Sequence, residues 1–115
     1  MLKTRVIAAL AIGAAVLVPA TAEAKRPPHG LYQCYQFDPT SGYLYAGGFK
    51  LVTDTKYKSK SGGGGKYAVN GKKVTFKSGP YNDFKGVTGH DSKGKWTIKL
   101  TLKSDHDVTE TCSHG

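Results

Sequence analysis

Four lysines surround a run of four glycines in the segment KYKSKSGGGGKY, residues 56–67. A glycine run followed by lysine suggests a phosphate-binding loop, which requires the motif G-x-x-x-x-G-K-[ST] and a helix directly after it. Here Gly65-Lys66 is followed by Tyr67 and by residues that alternate as in a strand. The sequence therefore argues against a nucleotide site. Two interpretations remain, a solvated hairpin loop and a loose contact with a polyanion.

The lysines that could make such a contact lie on both sides of the glycines. They are Lys56, Lys58, Lys60, Lys66, Lys72 and Lys73. Arg26 is the only arginine after residue 24. Because arginine rather than lysine gives the bidentate contacts that read phosphates and bases, this composition favours general attraction to polyanions and disfavours a nucleic-acid partner.

Seven tyrosines form a second group of candidate residues. Aromatic rings between lysines can stack single-stranded nucleic acid, but tyrosines that alternate along strands more often fill a core. A third interpretation is an apolar cup in which tyrosine hydroxyls orient a small ligand. The predicted lining of such a cavity is Tyr35, Tyr45, Tyr57, Tyr67 and Trp96.

Two histidines stand beside aspartates, His90 before Asp91 and His106 between Asp105 and Asp107. Neighbouring side chains of a strand point apart, and a metal site needs three or four converging ligands. Both pairs are therefore interpreted as solvated turn residues. No serine lies in a nucleophile elbow, and no pair of carboxylates is placed for glycoside hydrolysis. The sequence predicts no catalytic residue, no metal and no cofactor, and a small secreted enzyme is the second alternative.

Residues 1–24 have the organisation of a signal peptide. Lys3 and Arg5 precede an uncharged apolar run, and small residues precede the predicted cleavage between Ala24 and Lys25. The run of about 13 residues is shorter than the roughly 20 that span a bilayer. The mature chain is therefore predicted to be secreted or periplasmic, with no transmembrane segment.

The remaining chain divides into an extended leader, residues 25–30, and a single β domain, residues 31–115. After residue 24 there are 15 basic and 7 acidic residues, a net charge of +8. Such a charge attracts polyanions and keeps the protein soluble. A monomer is predicted.

Two cysteines, Cys34 and Cys112, lie near the two ends of this domain. Exported chains with a small even number of cysteines usually pair them. A bridge that closes so long a loop removes about 4–5 kcal/mol of unfolded-chain entropy, so we predict a disulfide. Glu110 shares its alternation with Cys112 and therefore marks either a polar interior or a break in register.

Almost all of residues 31–112 alternate with the period of a strand. Asn70-Gly71 predicts a hairpin in which Tyr67 and Val69 face Val74 and Phe76, and Gly47-Gly48 predicts a bulge or a sharp bend. Residues 78–90 read as irregular. The expected inward residues are Leu31, Tyr35 and Phe37 in the first strand, Tyr43, Tyr45, Phe49 and Leu51 in the second, and Trp96, Ile98, Leu100 and Leu102 near the end.

About seven short strands joined by turn signals predict an all-β fold. A small antiparallel meander closed or partly closed into a barrel removes the exposed edges, and a bridge between the first and last strands favours this closure. A small β-sandwich is the alternative.

Residues 47–86 carry a pattern in which a G-x-F-x-L strand, a tyrosine strand, G-x-Y-x-x-x-G-x-x-V-x-F and S-G-P follow one another. Its residues are Gly48, Leu51, Tyr57, Gly65, Tyr67, Gly71, Val74, Phe76, Ser78, Gly79 and Pro80. The pattern resembles small exported bacterial proteins with lipocalin-like or meandering β-barrels, which implies that fold and an exported location. The lipocalin G-x-W near the start of the fold is absent, so the resemblance transfers no binding residue.

These observations predict an exported, basic, non-catalytic β-barrel protein that binds a small or amphiphilic ligand. The alternative is a cationic interaction module for anionic envelope polymers, lipids or an acidic protein. The sequence does not identify the ligand or the partner.

Overall fold

The computed structural model of the chain describes residues 26–115. The predicted signal peptide and its cleavage site lie outside the described residues. The described chain forms eight strands: β1 (Gly30–Asp38), β2 (Gly42–Leu51), β3 (Lys56–Ser59), β4 (Gly64–Asn70), β5 (Lys73–Phe76), β6 (Phe84–His90), β7 (Trp96–Leu102) and β8 (Asp105–His114). Within this range no helix has the length and apolar character needed to cross a bilayer.

The strands form a closed antiparallel meander in which every strand pairs with its neighbours in sequence. The last strand also pairs with the first, over four residue pairs from Tyr32–His114 to Tyr35–Thr111. The predicted all-β meander barrel is therefore confirmed, and the sandwich alternative is not adopted. The barrel has one more strand than the sequence indicated.

A disulfide closes the barrel where its first and last strands meet. Cys34 and Cys112 are direct partners in the β1–β8 ladder, and their sulfur atoms are bonded at 2.09 Å. Both residues are fully buried. The predicted bridge is confirmed, and it is compatible with an extracellular or periplasmic location.

Aromatic side chains fill the interior of the barrel. Phe49 lies at its centre, with its ring 5.5 Å from Tyr32, 5.5 Å from Phe76 and 5.1 Å from Tyr81 between centroids. These separations are typical of packed aromatic pairs. The buried apolar residues are Tyr32, Cys34, Phe49, Leu51, Tyr57, Tyr67, Val74, Phe76, Tyr81, Ile98, Leu100 and Cys112.

The hydroxyl groups of the buried tyrosines bind backbone at the ends of the barrel. Tyr32 donates to the Pro28 carbonyl at 2.8 Å, so the leader is held against the barrel. The Tyr57 hydroxyl donates to the Ser78 carbonyl at 2.7 Å and accepts the Tyr81 N–H at 2.9 Å. Burial raises the pKa of Tyr81 to about 12. Each of these rings therefore fills the core with its carbon atoms and fixes a connection with its oxygen.

The Asn70-Gly71 hairpin forms as predicted. Tyr67 is opposite Phe76 and Val69 is opposite Val74. Gly71 has a φ of 62°, in the left-handed region that this turn requires. The inward face of β7 is also confirmed, with Ile98 and Leu100 fully buried.

The inward faces expected for β1 and for the first half of β2 are wrong. In β1 the buried residues are Tyr32 and Cys34, whereas Tyr35 and Phe37 are 39% and 63% exposed. A bulge directly before the predicted Gly47-Gly48 position leaves Ala46 without a partner, since Gly47 pairs with Cys34 and Tyr45 with Tyr35. The bulge shifts the alternation by one residue. Phe49 and Leu51 therefore point inward, while Tyr43 and Tyr45 point outward.

Residues 84–90 form the regular strand β6, although their sequence reads as irregular. Their inward positions are Gly86 and Thr88. A Cβ added to Gly86 would lie 3.0 Å from the Val74 Cβ and 3.2 Å from the Ile98 Cγ2. Neighbouring side chains thus occupy the space over Gly86, and the strand needs no apolar alternation of its own.

Candidate functional site

Four outward-facing lysines gather on β2, β3 and β4. Lys50 is opposite Lys58 in the β2–β3 ladder, and Lys56 is opposite Lys66 in the β3–β4 ladder. Each lies between inward residues such as Phe49, Leu51, Tyr57 and Tyr67, so the strand period places all four lysines outside. We call these four residues the lysine face.

Direct opposition of like charges is unfavourable in a sheet. Residues directly opposite one another have Cβ atoms about 4.5–5.5 Å apart, and a like-charge pair at that distance is destabilising. The lysine face contains two such pairs, Lys50–Lys58 and Lys56–Lys66. The fold therefore brings four positive charges close together, although their mutual repulsion lowers its stability.

Acidic residues do not neutralise the lysine face. The ion pairs among residues 26–115 join Arg26 and His29 to Asp54, and neither includes a lysine. All four lysines of the face are exposed. Their charges are thus available to a partner in solution.

An open groove of about 730 Å³ runs between three of these lysines, Lys56, Lys58 and Lys66. Residues 62–65, the glycine run, form part of its wall. Only Gly62 and Gly63 belong to the turn, and both have positive φ. Gly64 and Gly65 lie in β4.

Close packing under β4 explains the second half of the glycine run. A Cβ on Gly64 would lie 2.6 Å from the Tyr57 carbonyl oxygen, and one on Gly65 would overlap the Ser78 carbonyl oxygen. The Ser78 hydroxyl also accepts the Lys66 N–H at 3.0 Å. The interpretation of the run as a loose loop therefore holds only for its first two residues. The other two place Lys66 on a fixed strand.

The other predicted lysines belong to neither of these two cross-strand pairs. Lys60 follows β3, and its Nζ lies 5.5 Å from the centroid of the Tyr45 ring. Lys72 and Lys73 lie at the β4–β5 turn, where Lys73 pairs with Asn70 and with Val87. Of the six lysines predicted to contact a polyanion, three are thus brought together. Lys50 was missed, although its position between Phe49 and Leu51 in a strand pattern was a usable signal.

The predicted cavity lining is divided by the wall of the barrel. Tyr57 and Tyr67 are 2% exposed and belong to the packed core, and Trp96 is partly buried against that core. Tyr35 and Tyr45 lie outside, which corrects the expectation that they line the interior. Tyr57 packs against Phe49 and Phe76, whereas Trp96 packs against His90. The five side chains therefore do not surround a common cavity.

Glu110 is a buried carboxyl group in the barrel interior. It is 8% exposed, and within the described part of the chain its Oε1 has no hydrogen-bond partner. A carboxylate oxygen and the sulfurs of Cys34 and Cys112 lie within 4.8 Å of one another. Because both sulfurs are in the disulfide, this cluster offers no thiolate to a metal. Burial raises the pKa of Glu110.

The structure resolves the question that the sequence left open about Glu110. The residue is paired in register with Leu100, and the irregularity of β8 lies elsewhere, between Thr101 and Leu102 of its partner strand. Glu110 therefore points into the interior beside the disulfide and does not mark a break in register, and its Oε1, unpartnered among residues 26–115, shows that this part of the interior is not polar.

Both histidine–aspartate pairs lie at strand ends: Asp91 begins the turn after β6, whereas Asp105 and Asp107 lie within the first three residues of β8, next to the turn at residues 103–104, so the expected turn position is wrong for this second pair. Asp91 Oδ1 accepts the N–H groups of Lys93 and Lys95 at 2.8 and 2.9 Å, and these bonds lower its pKa. Asp105 Oδ1 accepts the Asp107 N–H at 3.0 Å. These aspartates stabilise tight turns, and His90 and His106 are exposed.

No protein-family model matches the chain, and comparisons with curated proteins and with solved structures give no match. The resemblance to lipocalin-like exported barrels therefore stays a prediction.

Proposed function

We propose that the protein is an exported, non-catalytic binding protein whose lysine face associates with an anionic polymer or surface. The observation that carries this proposal is the pair of cross-strand lysine contacts, Lys50–Lys58 and Lys56–Lys66, without an acidic partner among residues 26–115. The two like-charge pairs lower the stability of the fold, and binding of an anionic partner to them would explain their presence.

The character of the charges supports a repetitive anionic partner. Lysine offers a hydrated point charge and no planar fork, so it neutralises charge without selecting one geometry. The groove beside Lys56, Lys58 and Lys66 is open, which suits a polymer or a surface more than an enclosed small molecule.

A cavity for a small ligand has less support. The centre of the barrel is occupied by Phe49 and the rings around it, which are at most 8% exposed. A small eight-stranded barrel has an interior that side chains alone can fill. The surface is therefore the better place to look for recognition.

The test is binding to labelled dextran sulfate, with neutral dextran of the same length as the control ligand. Replacing Lys50, Lys56, Lys58 and Lys66 by glutamine removes the lysine face. The matched control replaces Lys72, Lys73, Lys93 and Lys103 by glutamine and removes the same charge from other positions. Because each lysine that contacts an anionic group contributes roughly one unit to the slope of log Kd against log salt, the face variant should lose about three to four units of slope.

We expect the face variant to bind dextran sulfate at least tenfold more weakly at low salt and the control variant to change by a factor of about two to three. Neutral dextran should not bind. Equal losses in the two variants would mean that affinity follows net charge and that the lysine face has no special role.

A further inference from the structure

We propose that the β1–β2 arm, residues 35–47, docks the protein on an anionic lipid bilayer by placing its aromatic face among the headgroups. This inference rests on the proposed function and specifies its anionic surface. It depends on a different part of the molecule, so this inference and the proposed function can fail independently.

The arm extends beyond the barrel wall. The β1–β8 ladder includes no residue of β1 beyond Tyr35, and the β2–β3 ladder includes no residue of β2 before Phe49. Between these points β1 and β2 pair only with each other, from Tyr35–Tyr45 to Asp38–Gly42. Beyond its base, where Tyr35 pairs with Thr111, the arm is a two-stranded ribbon whose outer edges pair with no other strand.

The exposed apolar residues of the protein concentrate on this arm. Among residues 26–115, five of the seven exposed large hydrophobic side chains belong to it: Tyr35, Phe37, Tyr43, Leu44 and Tyr45. The rings form two cross-strand edge-to-face pairs, Tyr35–Tyr45 at 5.5 Å and Phe37–Tyr43 at 5.3 Å. They therefore form one continuous aromatic surface.

The size of this surface argues against a second copy as its partner. The four rings are 39–72% exposed, so at roughly 200 Å² per aromatic side chain they present roughly 450 Å². A stable protein interface needs about 800 Å² from each partner. A net charge of +8 on each mature copy further opposes self-association.

The distribution of charge around the arm fits an anionic bilayer. The arm contains no lysine or arginine, and its one charged residue is Asp38. Lysines border it instead. Lys60 contacts the Tyr45 ring, and Lys99 is opposite Thr111, which is itself opposite Tyr35. Aromatic rings bordered by cations suit the headgroup layer, where tyrosine accumulates and anionic lipids attract lysine.

Two further features define the mode of contact. Leu44 lies on the opposite face of the ribbon from Tyr43 and Tyr45 because neighbouring residues alternate, so both faces carry apolar groups. The tip, residues 39–41, is polar, and Asp38 Oδ1 accepts the Thr40 N–H at 2.8 Å. The aromatic part of the arm should thus lie in the headgroup layer of the bilayer, with its tip in water.

The first experiment measures co-sedimentation of the mature protein with vesicles of phosphatidylcholine, alone or with an equal amount of phosphatidylglycerol. Phe37→Ser/Tyr43→Ser removes the two most exposed rings of the arm. Val87→Ser removes an exposed apolar side chain from β6 and serves as the matched control. All three proteins have the same charge.

We expect Phe37→Ser/Tyr43→Ser to bind the anionic vesicles at least tenfold more weakly than the wild type and Val87→Ser to bind within about twofold of it. At about 1 M salt, where the Debye length is about 3 Å, only the proteins with an intact arm should retain binding. Dextran sulfate binding should be the same in all three, which separates this inference from the proposed function.

A position-specific readout completes the test. Tyr43→Trp adds a second tryptophan to a chain whose only other one is Trp96, and its emission should shift to the blue and be quenched by brominated lipid. Vesicle binding without these changes would overturn the inference, since the lysine face alone would then hold the bilayer. A change in sedimentation coefficient that Phe37→Ser/Tyr43→Ser abolishes would also overturn it, because the arm would then be a dimer interface.

Discussion

Loss of the Cys34–Cys112 bond should remove a large part of the stability of the domain. The two residues are separated by 78 positions in the chain. The loop-entropy relation then gives a stabilisation of about 4.5 kcal/mol at 25 °C. A domain of about 90 residues has a free energy of unfolding of about 5–13 kcal/mol. Without the bond, the free energy of unfolding would therefore be close to the limit at which the barrel remains folded.

The double variant Cys34→Ala/Cys112→Ala tests this stabilisation energy. Its unfolding in urea is monitored by tyrosine and tryptophan fluorescence and compared with that of the wild type. We expect the free energy of unfolding to fall by about 4–6 kcal/mol, since two small buried cavities add to the loss of the bond. Because about 1 kcal/mol corresponds to about 4–8 °C for a domain of this size, the melting temperature should fall by about 16–48 °C.

Reduced wild-type protein is the control, because it retains both sulfur atoms and lacks only the bond. Its loss of stability should match that of the double variant to within about 1–2 kcal/mol, the contribution of packing. If both forms lost less than about 1 kcal/mol, the reasoning would be refuted. The four backbone pairs of the β1–β8 ladder would then be sufficient to close the barrel.

Three further changes probe single contacts. Because burial raises the folded-state pKa of Glu110 above its ordinary value of 4.5, its contribution to stability is present below that value and is lost as the pH rises. Glu110→Gln should therefore gain stability relative to the wild type from acidic to neutral pH, and urea midpoints that move in parallel would contradict this. Gly65→Ala places a methyl group against the Ser78 carbonyl oxygen and should destabilise the domain by about 1–3 kcal/mol in thermal unfolding; no loss would mean that β4 can shift. Tyr57→Phe leaves the buried Tyr81 N–H without its acceptor and should cost about 1–3 kcal/mol by urea unfolding, and a neutral result would mean that water replaces the hydroxyl.

The closed barrel was predictable because several local signals agreed. The alternation of β7, the Asn70-Gly71 turn and the two terminal cysteines each limited the fold independently. β6 was not predictable in the same way, because its inward positions are Gly86 and Thr88. Val74 and Ile98 of the neighbouring strands fill the space over Gly86. The sequence of β6 alone does not contain this information.

The candidate site was only partly predictable for a related reason. The lysines of β3 and β4 were identified from composition, but their pairing as Lys56–Lys66 depends on the register across the glycine run. The aromatic arm was not predicted because the shift in alternation that a bulge causes in β2 was not taken into account. One unpaired residue, Ala46, reverses which face Tyr43 and Tyr45 occupy.

For the exported protein that we propose, the closure of the barrel between its first and last strands has a consequence for the order of events. In a chain that leaves the membrane amino end first, Cys34 emerges well before Cys112, which lies 78 residues later. Until β8 arrives, β1 has only β2 beside it, and the Cys34 thiol has no partner within the chain. The barrel therefore cannot be completed while translocation is in progress. During that interval Cys34 is open to small thiols and to oxidoreductases, and formation of the Cys34–Cys112 bond reports that β8 has reached β1.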